Sequence, residues 1–230
     1  MNRSEIQDAS KNPFKVKIWT SSHGLGSHHF PQALGAVFKN KGLLRLPEID
    51  AVGGRYLDSN FVETYRRDFE ESTTYDSRSR CLSQISIILL GDNNIRSHAV
   101  KGAFRVVKSI GQIIEIHQNF YHPLLICGLM PSPRTEAVTG ILSEYTDDKL
   151  QEKVIELHSN PEGRFFGYVC TTSFFTKITG PPVLNKHFSR DGIHLNEFGA
   201  SVLALNLLSE ANTLAKTVVD FADFRDRQSA

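Results

Sequence analysis

Ile85-Ser86-Ile87-Ile88-Leu89-Leu90-Gly91-Asp92-Asn93-Asn94 is the stretch whose reading decides the fold. Its first six residues are the most apolar run of their length here and are rich in β-branched side chains. A run this short reads as a strand buried on both faces. Strands of that kind sit inside parallel sheets covered by helices on either side. The Gly-Asp-Asn-Asn that follows ends the strand, because Gly and Asx residues favour turns and Asx side chains cap the helix that comes next.

Working outward, the same unit recurs. Phe14–Trp19 alternates like a short strand and runs into Thr20-Ser21-Ser22-His23-Gly24-Leu25-Gly26. Glu48–Val52 predicts a second strand, ending at Gly53-Gly54-Arg55. His122–Leu129 predicts a fourth strand, closed by Pro131-Ser132-Pro133, and Phe165–Thr171 a fifth. Helices are expected between them. Pro31–Phe38 has Pro in its first turn, and Leu57–Phe69 precedes a polar loop at Ser72–Ser79. Ala99–Asn119 places Val100, Phe104, Val107, Ile110, Ile113 and Ile114 at near-helical spacing. Asp147–His158 does the same with Leu150, Val154, Ile155 and Leu157, and Asn196–Lys216 is the last helix. Thr176–Arg190, with Gly180-Pro181-Pro182, reads as irregular. Strand and helix alternate from end to end, which implies a three-layer α/β/α sandwich around a parallel sheet of about five strands. The expected organisation is a loose arm at 1–13, one domain at 14–220 and a frayed tail at 221–230.

Composition sets bounds on function. A chain of 230 residues, 40% of them hydrophobic, suits one domain with a sizeable core. Lys+Arg 26 against Asp+Glu 25 gives no global basic field, so no nucleic-acid partner is evident, although a local patch is compatible with that balance. Arg66-Arg67 and the Lys39/Lys41 pair read as solvated faces. Cys81, Cys127 and Cys170 are few, odd in number and widely spaced, which argues against a disulfide framework or a zinc site. Cys127 and Cys170 lie in apolar runs and are expected to be buried thiols. The polar start Met1-Asn2-Arg3-Ser4-Glu5 has no signal-peptide core, and no run approaches a membrane span. The expectation is a cytoplasmic protein.

The chemistry is suggested by Asp191-Gly192-Ile193-His194-Leu195-Asn196. An Asp three residues before a His can bond one ring nitrogen, fix the tautomer and leave the other free to accept a proton. A nucleophile is on offer in Ser22 or Ser21, at the end of the first strand, where α/β proteins display reactive groups. Gly53 or Gly54 ends the second strand, and Asn93 follows the third.

Ser, Gly, Asn and His therefore occur in that order, each at a strand end or before a helix. In this the chain resembles the SGNH hydrolase superfamily, related to the GDSL esterases and lipases. Ser22 matches the block I serine, Gly53 (or Gly54) block II, Asn93 the block III asparagine, and Asp191 and His194 block V. Ser21 stands where the family has Asp, and so does Asn94. Restoring Asp at Ser21 is accordingly expected to be tolerated. The resemblance implies a flavodoxin-like fold of the SGNH type. It also implies cleavage of an acyl or acetyl ester of a small molecule, glycan or lipid. Ser22, His194 and Asp191 would be catalytic. The oxyanion hole would be formed by the Ser22 and Gly53 N–H groups and the Asn93 amide, with no metal or organic cofactor. A second reading, a catalytically silent SGNH-like binding module, remains open; such domains also occur in proteins of mobile elements. No G-x-S-x-G elbow, H-E-x-x-H or Walker A pattern is present to suggest another chemistry. His23, His28 and His29 cluster near the serine, but no carboxylate or cysteine is spaced to complete a metal site. Phe174, Phe175 and Phe188 fit either an acyl pocket or the core, and Arg134 reads as a solvated loop residue.

Overall fold

The computed structural model describes residues 14–38, 44–74, 84–120, 122–129, 137–171, 188–189, 191 and 194–228. The arm at 1–13, Lys39, Lys41, Cys81, Arg134, Phe174 and Phe175 lie outside the described residues, as does almost all of 176–190.

Five strands form one parallel sheet. They are β1 (Lys15–Thr20), β2 (Glu48–Ala51), β3 (Gln84–Leu89), β4 (Leu124–Cys127) and β5 (Phe166–Val169). Their spatial order is β2-β1-β3-β4-β5, the flavodoxin-like order. The helices are α1 (His29–Phe38), α2 (Ser59–Thr74), α3 (Asp92–Phe120), α4 (Ala137–Leu157) and α5 (Glu197–Gln228). Period-two alternation sorts the strand side chains to opposite faces. Val16, Ile18, Ile85, Ile87 and Leu89 pack with α1 and α5. Trp19, Ile88, Leu124 and Ile126 pack with α2, α3 and α4. Helices thus cover both faces, which is why the central strands read as continuous apolar runs.

Several boundaries differ from the sequence reading, each for a local reason. Helix α3 begins at Asp92 rather than Ala99, because Asp92, Asn93 and Asn94 open the helix itself instead of forming a separate turn. The helix is broken at Ala99 (φ 44, ψ −123), a backbone region that costs a non-glycine residue on the order of 1–3 kcal/mol. Val100 and Phe104 keep helical spacing but face solvent. Helix α4 starts ahead of the expected Asp147, at Ala137. Asn196 is the cap rather than the first residue of α5, its Oδ1 accepting from Gly199 N at 2.9 Å. Helix α5 then continues past Lys216 to Gln228, through most of the segment read as a tail. Cys127 is fully buried, whereas Cys170 is only half-buried.

Under α3, at the end of the sheet away from Ser22, His117 is buried among Tyr65, Phe69 and His122. Its Nδ1 donates to the His122 carbonyl at 2.9 Å, and its Nε2 accepts from the Tyr65 hydroxyl at 2.6 Å. That tautomer is neutral, and burial pushes the ring down to about 4 from an ordinary 6.5. The unfolded chain therefore takes up a proton before the folded one does. Stability from this group is full above pH 6.5 and falls as pH drops toward 4, by on the order of 3 kcal/mol over the whole window. Urea unfolding at pH 7 and pH 4.5 should show this loss, and His117→Gln should make the slope shallower.

Candidate active site

The registers that pair Thr20 with Ala51 and with Leu89 bring β1, β2 and β3 to an end at one level. The chain leaves β1 toward β2 on one side and β3 lies on the other, so this edge is the topological switch point, where open α/β sheets hold their ligands. Ser22, Gly53 and Asn93 leave the sheet at this edge.

The turn after β1 is tight. Ser22–Gly24 forms a 3-10 turn. A Cβ on Gly24 would lie 2.1 Å from Thr20 Cγ2, so only glycine fits. Gly91 (φ 126) is fixed likewise, since a Cβ there would lie 2.5 Å from Leu129 Cδ2. The Gly53-Gly54 turn is clamped by Arg55, which donates to Asp50 Oδ1 at 2.6 Å, to Asp50 O at 2.9 Å and to Thr20 O at 3.4 Å.

The loop before α5 presents the acid–base pair. Ser189 and Leu195 form an antiparallel bridge, and Ser189 Oγ donates to His194 O at 2.6 Å. Asp191 Oδ1 accepts from the His194 backbone N–H at 2.8 Å, and Asp191 Oδ2 from His194 Nδ1 at 2.7 Å. With its Nδ1–H given to the carboxylate, the ring turns the Nε2 lone pair toward Ser22 Oγ, 3.1 Å away. The arrangement can take a proton from a serine hydroxyl and return it to a leaving group. Ser22, His194 and Asp191 are thus brought together. Ser21 is not: its side chain is fully buried, and its hydroxyl has no hydrogen-bond partner among the described residues.

Asn93 offers one edge of its amide. Its Oδ1 accepts from Arg96, and its Nδ2 donates to Arg55 O at 3.1 Å. Both contacts select the same amide orientation and leave a second N–H without a partner among the described residues. The backbone N–H groups of Ser22 and Gly53 likewise have no hydrogen-bond partner among those residues. Asn94 is buried and pairs with Leu57, accepting from its N–H at 2.8 Å and donating to its carbonyl at 2.9 Å. A carboxylate could make only the first of these bonds.

The sequence places His23 and His28 near the serine but does not show what they contact. His28 stacks on His194, with ring centroids 4.1 Å apart and planes 13° from parallel. Burial, and then the positive charge that His194 can carry, hold His28 below its ordinary value. His23 stands edge-on to His194 at 5.5 Å, and its Nε2 lies 3.7 Å from the buried Asp92 carboxylate. Burial alone would raise Asp92, but His23 and Arg96, the latter 3.4 Å away, outweigh it and hold the group below the usual carboxylate range. The histidines therefore have other partners, and among the described residues no three ligating side chains converge as a metal site. Phe188 stacks on Phe198 near the loop, with centroids 5.6 Å apart.

Comparison with solved structures agrees with the architecture. A putative acylhydrolase from Bacteroides fragilis superposes with a TM-score of 0.61 at 15% identity, over 93% of this chain and 95% of that one. A family 3 carbohydrate esterase from Clostridium thermocellum gives 0.62 at 12%, over 90% and 100%. A GDSL-like lipase from Bacteroides thetaiotaomicron gives 0.57 at 13%, over 94% and 90%. The chain has the SGNH hydrolase fold. No family profile and no curated relative matches it by sequence. Among the described residues, no helix is long and apolar enough to cross a membrane.

Within this SGNH fold, the burial of Ser21 reverses the expectation that Asp would be tolerated there. A carboxylate would be desolvated with no partner in place. Ser21→Asp should lower the melting temperature sharply. Ser21→Ala, which deletes an unbonded hydroxyl, should leave it unchanged or slightly raised.

Proposed function

We propose that the protein is a serine hydrolase of carboxylic esters. The observation that carries this reading is the chain of contacts from Asp191 through His194 to Ser22, with Nδ1 bonded to the acid at 2.7 Å and Nε2 facing the hydroxyl at 3.1 Å. The neighbours of known fold, acyl- and carbohydrate esterases among them, favour the same class of reaction.

In this mechanism His194 takes the Ser22 proton as the oxygen attacks the ester carbonyl. Asp191 holds the ring and stabilises the imidazolium. Negative charge growing on the carbonyl oxygen meets the N–H groups of Ser22 and Gly53 and the free N–H of Asn93. A single donor of this kind contributes about 3 kcal/mol to the transition state. Protonated His194 then hands its proton to the leaving alcohol, and a water molecule repeats the sequence on the acyl-enzyme. The substrate fits the class of small acyl or acetyl esters, of glycans or lipids. His28, stacked on the ring, restrains its tilt where Asp191, half exposed, is a weak anchor.

Hydrolysis of nitrophenyl acetate tests the reading. Ser22→Ala and His194→Ala should each reduce turnover as far as the double substitution, because the pair acts as a unit. A fluorophosphonate probe should label the wild type and not Ser22→Ala. A wild type inert to both reagents would favour the silent binding module.

The oxyanion role has its own signature. Asn93→Ala should lower kcat by roughly 10²–10³ with KM within a few-fold, since the charge it meets exists only in the transition state. A raised KM at unchanged kcat would make Asn93 a ground-state binding residue.

A further inference from the structure

Helix α3 carries a surface that the site does not use. From Asn93 to Ile114 the chain has no Asp or Glu, yet it holds Arg96, Lys101, Arg105 and Lys108. In a chain of net charge +1, this is a local concentration of one sign. Lys101, Arg105 and Lys108 are exposed. Between them, Val100 is 52% and Phe104 63% exposed. Residues four apart share a helix face, so Val100, Phe104 and Lys108 form one row and Lys101 and Arg105 the next. Val100 and Phe104 are exposed neighbours in one row, with Lys108 at its end and Lys101 and Arg105 in the row beside it.

The stripe begins at the strained Ala99 turn, and that turn is tied to the catalytic end. Tyr56, in the loop after Gly54, bonds Ser97 Oγ at 2.8 Å and packs its ring 5.6 Å from His98. Tyr56 and Val52 add exposed apolar surface there. A backbone conformation that L residues avoid is being held at the point where the apolar row starts.

We propose that this stripe docks the protein on an anionic lipid surface. Val100 and Phe104 enter the boundary between headgroups and acyl chains, and Lys101, Arg105 and Lys108 pair with the headgroup anions. The positive charge of Lys101, Arg105 and Lys108 beside the apolar row favours an anionic occupant. A second copy of the same patch would be repelled. A single-stranded nucleic acid would use the cations and Phe104, but it has no base-stacking use for Val100. Helix α3 starts at the carboxyl end of β3, the end of the sheet that also carries the Ser22 turn. The proposal does not depend on Ser22 being active.

Sedimentation with phosphatidylcholine vesicles, with and without phosphatidylserine, tests it. Wild type and Ser22→Ala should bind equally, only when phosphatidylserine is present, and less at high salt. Phe104→Asp, and independently Val100→Asp, should weaken partitioning at least tenfold. Each of Lys101→Gln, Arg105→Gln and Lys108→Gln should weaken it roughly fivefold. All these positions are exposed, so circular dichroism and turnover of a soluble ester should match wild type. Binding that ignores phosphatidylserine, or that survives Phe104→Asp and Val100→Asp, overturns the proposal. So does capture of a single-stranded RNA oligonucleotide through the same cations with no vesicle binding. Vesicle binding by a protein that hydrolyses nothing would sink the esterase reading and leave this one standing.

Discussion

The parallel pairing of β1 with β3 governs the rest of the structure. It sets Thr20 opposite Leu89, and β2 on the other side of β1 sets Ala51 at the same level. Three turns from three distant parts of the sequence therefore leave the sheet side by side. A slip of one residue would send Ile18 and Ile87 to the wrong face and misplace every turn. The two fully buried hydrophobic layers make such a slip costly. Core packing, rather than anything within the site, thus determines where Ser22, Gly53 and Asn93 stand relative to one another.

Buried charge then joins two of those turns. Asp92 lies between His23 of the serine turn and Arg96 of α3, and Arg96 also grips the Asn93 amide. An unpaired carboxylate at this depth would be strongly unfavourable, whereas Arg96 and His23 beside Asp92 hold it below the usual carboxylate range. The Ser21 hydroxyl makes no polar contact among the described residues. Asp92, at the start of α3, places a carboxylate 3.7 Å from His23 of the same loop.

The layered fold was legible because strand and helix leave different periods in the sequence, and the buried strands here are nearly pure apolar runs. The candidate residues were legible because Asp191 and His194 are close in sequence and the remaining groups sit at strand ends. What escaped depended on three-dimensional proximity. Nothing in the spacing of His23 and Asp92 marks them as a pair, and the stack of His28 on His194 joins residues far apart in the chain. The periodicity of Val100 and Phe104 was read correctly as helical, but periodicity does not say which face is covered. In the structure both face solvent.

The two halves of the site differ in rigidity. Asn93, Asp92 and Asn94 are buried at the start of α3, and their side chains are bonded to Arg55, Arg96 and Leu57. Asp191 sits on a loop with its side chain half in water. On the esterase reading this division follows from the chemistry. Oxyanion donors act by being aimed before charge appears, so any freedom there is lost rate. The base must meet serine, leaving group and water in turn, which calls for access rather than burial. Protonating His194 also places a cation beside Asp191 and beneath the face of His28. Burial and that neighbouring charge push His28 toward its neutral form, so its ring offers the imidazolium a face that is easier to keep uncharged. A second positive ring in the same place would oppose the proton transfer on which the reaction depends.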